Sequence, residues 1–283
     1  MANFSGLAQR QSSQFQKLLT YLILIIFTLV AVMPFIAIIL TAFKQPVEMA
    51  NGPFALPQNW TFENFREAWE GARFSAYFQS SVIVVIPVVF FAVILSTMAG
   101  FGFAFFRFPF DNVLLLIVLL GQMVPFEAVI IPLWELMAQL GLRDSYWAVI
   151  LPQIALSFSF GTFWMRANFK NMPREIIDAA VVDGCSTWGV LWRIVFPLAR
   201  PALASLIVLL FMWTWNEFFL VLVMTSGDMR TLPVGLALLR GRYTTNIPVM
   251  AAGSIMVFLP VLVLYFFFQR SFIRGIIAGA VKG

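Results

Sequence analysis

The chain has 283 residues, 61% of them hydrophobic and 11% charged, with a net charge of +5, no histidine and one cysteine. Soluble domains are roughly 45–50% apolar and about 25% charged, so this composition belongs in lipid, and the positive excess reads as membrane orientation rather than nucleic-acid binding. Without histidine there is no imidazole base or ligand, and one cysteine rules out an intrachain disulfide and leaves the redox compartment unread.

Residues 1–16 are polar, and the apolar run that follows, Leu18–Phe43, is about 26 residues long. A cleavable signal carries an apolar region of about 7–15 residues, so this is expected to be a retained first span. Phe74–Phe106 carries no charge; a span needs about 20 apolar residues, which places a second helix near 76–99 with the Gly100–Phe106 end emerging beyond it. Asn112–Leu140 holds a third span, interrupted at Pro125 and Glu127. Ser145–Met165 is a fourth, Leu203–Met224 a fifth carrying Glu217 midway, and Ile247–Gln269 a sixth. Continuous apolar runs of this length exclude a β-barrel. The predicted fold class is all-α: a polytopic membrane protein of about six transmembrane helices, forming a single transmembrane domain over 1–283.

Six spans put both termini on one side. That side holds eleven of the 18 Lys and Arg residues, the other seven, which favours cytoplasmic termini. Loops 44–75 and 225–248 are then outside. Within the first, Phe62, Phe65 and Trp69 recur at helical spacing, predicting a short amphipathic helix over 61–70 that lies on the surface.

A polar island, Asn171–Ala202, falls on the cytoplasmic side. Pro173 suits the first position of a helix, a helical run Arg174–Asp183 follows, and Gly184 can close it in the left-handed conformation. A second run, Ser186–Phe196, stops at Pro197. Asp183 is expected to cap this second helix. Two short helices joined at an Asp-Gly corner make a docking element for a partner. Cys185 reads as a small filler rather than a nucleophile, and Trp188 and Trp192 as packing on the chain's own spans or at headgroup level.

Catalytic signatures are missing: no G-x-x-x-x-G-K-[ST] phosphate loop, no H-E-x-x-H, no cysteine pair and no G-x-S-x-G occurs. An enzyme is not expected. Two acidic groups fall in or near spans. A charge at bilayer depth costs about 2.5–3.5 kcal/mol on insertion scales and usually faces a cavity or a partner. Glu217, beside Trp213, Trp215 and Asn216, offers aromatic and polar groups suited to a sugar; pairing with a neighbouring helix, or a position near the outer interface, is the other reading. Glu127 reads as exposed at a helix start.

The island resembles the cytoplasmic EAA loop of ABC-importer permeases. The matching positions are Pro173, Glu175, Asp178, Ala179, Ala180, Asp183, Gly184 and Pro197, with Asp178 where the family usually has Glu and Cys185 where Ala is common. Trp215-Asn216-Glu217-Phe218, Arg230-Thr231-Leu232-Pro233 and Gly279-Ala280-Val281-Lys282-Gly283 are similar to the carbohydrate, MalG-type branch, and the resemblance covers nearly the whole chain. It implies a multi-pass permease of a bacterial or archaeal inner membrane that imports a carbohydrate or related polyhydroxy solute. The implied partners are a homologous second permease, two copies of a cytosolic ATPase and an extracytoplasmic solute-binding protein. No cofactor is expected in this chain, ATP and Mg lying on the ATPase. The ATPase would dock on Glu175, Asp178, Ala179, Ala180, Asp183 and Gly184, and the solute would pass Trp213, Trp215, Asn216 and Glu217. The resemblance further implies an outer loop, Thr225–Pro248, that reaches the binding protein, and a tail, Ser271–Gly283, that inserts between the ATPase subunits. The alternatives are a non-transporting membrane scaffold that only tethers an ATPase, which solute uptake discriminates, and a self-sufficient secondary transporter, which the docking loop disfavours.

Overall fold

The computed structural model describes the backbone of residues 4–71, 73–239 and 246–280, and the side chains of 16–71, 73–239 and 246–269. Among these residues all regular structure is helical: α1 Phe4–Ala42, α2 Phe74–Phe105, α3 Asp111–Met123, α4 Phe126–Gln139, α5 Trp147–Lys170, α6 Arg174–Val182, α7 Thr187–Leu198, α8 Arg200–Trp215, α9 Phe219–Met224, α10 Leu232–Leu238 and α11 Ile247–Ala280. Four helices are individually long and apolar enough to span a membrane, and two bent pairs bring the total to six. The chain divides into two compact units, Met1–Ala68 with Arg242–Ile255, and Trp69–Gly241 with Met256–Gly283.

In the first unit, the span Gln16–Ala42 has none of its apolar window buried within the chain, as befits a helix facing lipid or another subunit. Its C-terminal end is tied down by Asn64, whose Nδ2 donates to the carbonyls of Ala42 and Lys44 at 2.9 and 2.8 Å; these are groups a helix end leaves without internal partners. Lys44 is buried and donates Nζ to the Gly52 carbonyl at 2.8 Å. The Glu48 carboxylate accepts the backbone N–H groups of Gln45 and Asn59. The helix expected over 61–70 is only a turn, Glu63–Arg66, running into a wider π turn, Glu67–Gly71. Its inward residues are Asn64, Phe65 and Ala68, while Phe62 and Trp69 stay exposed. Asn64 follows the α1 carbonyls inward, and that sets the face in place of the aromatic spacing.

The second unit is built on α2 and α5. Gly100 and Gly161 let the two backbones approach: a Cβ on Gly100 would lie 2.7 Å from the Met165 Cβ. This close approach explains why α2 continues, buried, through Gly100 and Phe101 to Phe105 rather than ending near residue 99. The Arg166 Nε bond to the Phe103 carbonyl, 3.3 Å, reinforces it. Helix α8 joins this core through Leu206 and Leu210, and the Trp164 indole donates to the Ala202 carbonyl at 3.0 Å. Pro125 breaks the third span as expected: α3 and α4 meet at 96°.

The fifth span departs from expectation. Helix α8 stops at Trp215, and Glu217 stands in the break before α9 rather than midway along a helix. Asn216 turns its side chain back to donate to the Met212 carbonyl at 2.8 Å, and the Glu217 Oε1 accepts the Leu220 N–H at 2.9 Å. These local bonds offer the backbone an alternative to continuing the helix. The tail residues 281–283 and residues 240–245 of the loop expected on the outer side lie outside the described residues.

Candidate functional sites: a helical corner and an acidic cleft

The polar island folds as two helices at a fixed corner. Pro173 caps α6 from outside, with φ −58° and ψ 126°, rather than occupying its first turn. At the other end Gly184 takes φ +81°. Its N–H donates to the Val181 carbonyl at 3.0 Å, and the Cys185 N–H to the Ala180 carbonyl at 2.9 Å. This paired pattern is the Schellman closure, and it satisfies carbonyls that the helix end would otherwise leave free. The expected cap at Asp183 is overturned: Ser186 opens α7, its Oγ accepting the Gly189 N–H at 3.2 Å. With Cys185 held on Ala180, the chain is free to start a helix only two residues after Gly184.

Helix α7 does not stop at Pro197. A π segment, Val190–Val195, precedes a last turn, Phe196–Leu198. The wider turn accommodates the proline ring and its missing N–H. The chain then bends by 79° into α8.

The named docking residues divide between two faces. Glu175, Asp178, Ala179, Asp183 and Gly184 are exposed; Ala180 is buried against Val190 and Leu191 in the chain's own core. Two neighbours escaped the sequence reading: Val182 is 86% exposed, with Val181 exposed beside it, although their apolar character reads in sequence as core. Trp188, expected to pack on the chain's own spans or at headgroup level, is 58% exposed. Trp192 instead packs inward, 5.1 Å from the Phe196 ring. Asp183, Ser186, Trp188 and Arg193 line a surface cleft of about 630 Å³ at this corner.

A second cleft, about 460 Å³, opens where the two broken helices face α5. Gln122, Val124 and Pro125 come from the α3–α4 break, followed by Phe126 and Glu127 at the start of α4. Helix α5 gives Gln153, Leu156 and Ser157, the end of α8 gives Trp213 and Thr214, and the break beyond it gives Glu217. Trp213 is 50% exposed, and the edge of Phe160 at 4.7 Å, tilted 73°, sets its ring plane. Gln153 is only 5% exposed, yet its Nε2 has no hydrogen-bond partner among the described residues.

Of the four residues expected on a solute path, Trp213 and Glu217 come together here, and Trp215 and Asn216 do not. Trp215 is 2% exposed, stacked on Phe211 at 5.4 Å, with its indole donating to the Val257 carbonyl at 2.9 Å. Asn216 is occupied in capping α8. Glu127 is exposed at the start of α4, as expected, and it also lines the cleft. Gln122 and Gln153 went unread because a glutamine inside an apolar run carries no periodic signal.

Comparison with known proteins identifies what carries these features. Residues 92–277 match the family described as the binding-protein-dependent transport system inner membrane component. The chain belongs to this family. It is 37% identical over 259 residues to the arabinooligosaccharides transport system permease protein AraQ of Halalkalibacterium halodurans, covering 90% of this chain and 92% of that protein. It is 30% identical over 267 residues to the diacetylchitobiose uptake system permease protein NgcG of Streptomyces coelicolor, covering 93% and 87%. Among solved structures, a bacterial ABC transporter involved in the import of the acidic polysaccharide alginate superposes with a TM-score of 0.76 at 24% identity, over 92% of this chain and 97% of that one. That likeness supports the all-helical fold.

Proposed function

We propose that this permease imports a carbohydrate or related polyhydroxy solute, delivered by an extracytoplasmic solute-binding protein and driven by ATP hydrolysis on a separate ATPase. The sugar-transport names of AraQ and NgcG support the solute class. The Schellman-closed corner between α6 and α7 carries the mechanism. It presents Glu175, Asp178, Ala179, Asp183 and Gly184, with Val181, Val182 and Trp188, on a surface whose opposite side is locked into the core by Ala180. An ATPase seated there moves the corner as a rigid piece. The 79° bend passes that motion into α8, whose far end bears Trp213, with Glu217 in the break just beyond it. Closure of two ATPase copies then draws this corner and that of a homologous second permease together and turns the cleft from one side of the membrane to the other.

Eleven of 18 Lys and Arg residues on the side of the termini support cytoplasmic termini, with the corner facing the ATPase. The sequence holds no phosphate-binding loop, so nucleotide and Mg belong to the partner. The test is reconstitution of the complete complex in vesicles. ATP-dependent accumulation of an oligosaccharide carried by the cognate binding protein is expected. Hydrolysis without accumulation across the binding protein's ligands would refute import.

A further inference from the structure

The cleft between the α3–α4 break, α5 and the end of α8 carries two carboxylates, Glu127 and Glu217, and among the described residues no lysine or arginine lines it. Both acids stand beside low-dielectric helix walls, where charges of one sign focus their field into the opening. One Glu217 oxygen is anchored on the Leu220 N–H at 2.9 Å, which holds that carboxylate at the cleft wall.

A second feature independently points to a ligand. Gln153 is 5% exposed, lines the same cleft, and has an amide nitrogen without a hydrogen-bond partner among the described residues. A buried donor left unmade is costly, and this nitrogen is sealed just beneath the cleft wall, so it gains an acceptor when the Gln153 side chain turns toward a ligand in the cleft. The flanking Trp213 ring, fixed edge-on by Phe160, offers an apolar face. A neutral sugar meets all of these demands. Its C–H face covers the indole, a hydroxyl oxygen accepts from Gln153, and hydroxyl hydrogens donate to the two carboxylates. A uronate or sugar phosphate brings a group that only accepts, and it meets two negative charges with no cation to offset them.

We propose that this cleft is a charge filter within the permease itself, admitting neutral and cationic saccharides and repelling anionic ones. The proposal rests on the reading of the cleft as the solute path, and extends it to a selection made after the binding protein has released its load.

The filter is measurable without knowing the solute. In the reconstituted complex, Ser157→Cys is introduced into a Cys185→Ser chain, placing one thiol in the cleft. Its reaction with a cationic and an anionic methanethiosulfonate of similar size is followed by mass spectrometry of this chain. Rates are referred to those of free cysteine in the same buffer. The cationic-to-anionic ratio is expected to exceed the free-thiol ratio by about tenfold or more, and to return to within about twofold of it when Glu127→Gln and Glu217→Gln are added. A ratio equal to the free thiol's, or one the double substitution leaves unchanged, overturns the filter and leaves the path reading intact. Failure of both reagents to react would overturn the path reading, and the filter with it.

Discussion

Gly161 on α5 faces Ser96 on α2 so closely that a methyl group on Gly161 would lie 2.2 Å from the Ser96 Oγ and 2.7 Å from its Cβ. The hydroxyl can rotate away; the Cβ cannot move without its helix. Gly161→Ala therefore overpacks the α2–α5 seam, at a cost of about 1–3 kcal/mol, and should lower the thermal midpoint of the purified complex. Ser96→Gly removes both clashing atoms but also the 3.3 Å bond from Ser96 to the Phe158 carbonyl. Carried together, the two changes should destabilise less than the sum of the singles. Simple additivity would show that the contact does not hold the helices apart.

The spans were legible because length and hydropathy suffice to find them, and the break at Pro125 was legible because proline removes an N–H. The end of α8 was not. Residues 203–224 read as one apolar run, and at Trp215, where the helix ends, Asn216 bonds back to Met212 and Glu217 forward to Leu220. Such side-chain competition leaves no trace in hydropathy. At the corner, glycine signalled its own left-handed turn, yet the cap expected at Asp183 falls instead to Ser186, a residue type that caps equally well. The Cys185–Ala180 bond makes that choice. Trp215 and Trp213 are two residues apart and chemically alike; the turn of the helix buries one and opens the other.

Gly184 adopts φ +81°, and nothing lies within 4 Å of where its Cβ would stand. Any penalty for a side chain here is therefore backbone strain alone, about 1–2 kcal/mol for an ordinary residue. Asparagine tolerates this conformation far better than a β-branched residue. Gly184→Val should uncouple uptake from hydrolysis or release the ATPase, while Gly184→Asn retains both. Co-purification of the ATPase with the membrane-inserted permease, measured alongside uptake, checks this. Equal coupling in the two variants would place the joint elsewhere.

Asp144 and Arg73, both non-glycine residues with positive φ, hold the same turn around Ser226 and Asp228. The Asp144 carboxylate accepts the Ser226 N–H at 2.8 Å and its hydroxyl at 2.8 and 3.0 Å, and the Arg73 guanidinium meets Asp228 at 2.5 Å. Strained residues persist where their surroundings fix them. Asp144→Ala should release Ser226 and weaken the stimulation of hydrolysis by loaded binding protein, whereas Asp144→Asn, which accepts the same N–H and tolerates the backbone, should lose less. The ATPase rate with saturating binding protein is the measurement; indistinguishable variants would reduce the turn to a passive connection.

Glu217 has two separable roles, and two substitutions divide them. Its Oε1 accepts the Leu220 N–H at the start of α9, and its carboxylate lines the cleft with Trp213. Glu217→Gln keeps an acceptor of the same reach and removes the charge. Glu217→Ala removes both, and loss of a helix-capping acceptor costs about 1 kcal/mol. If the cap alone mattered, Gln would match the native residue in uptake and in thermal midpoint, and only Ala would fall. If the carboxylate contacts solute, Gln should lower uptake several-fold at an unchanged midpoint, with the ATPase still bound. Full uptake by Glu217→Gln under limiting solute would remove the carboxylate from the path and leave Glu217 as the cap that turns α8 into α9.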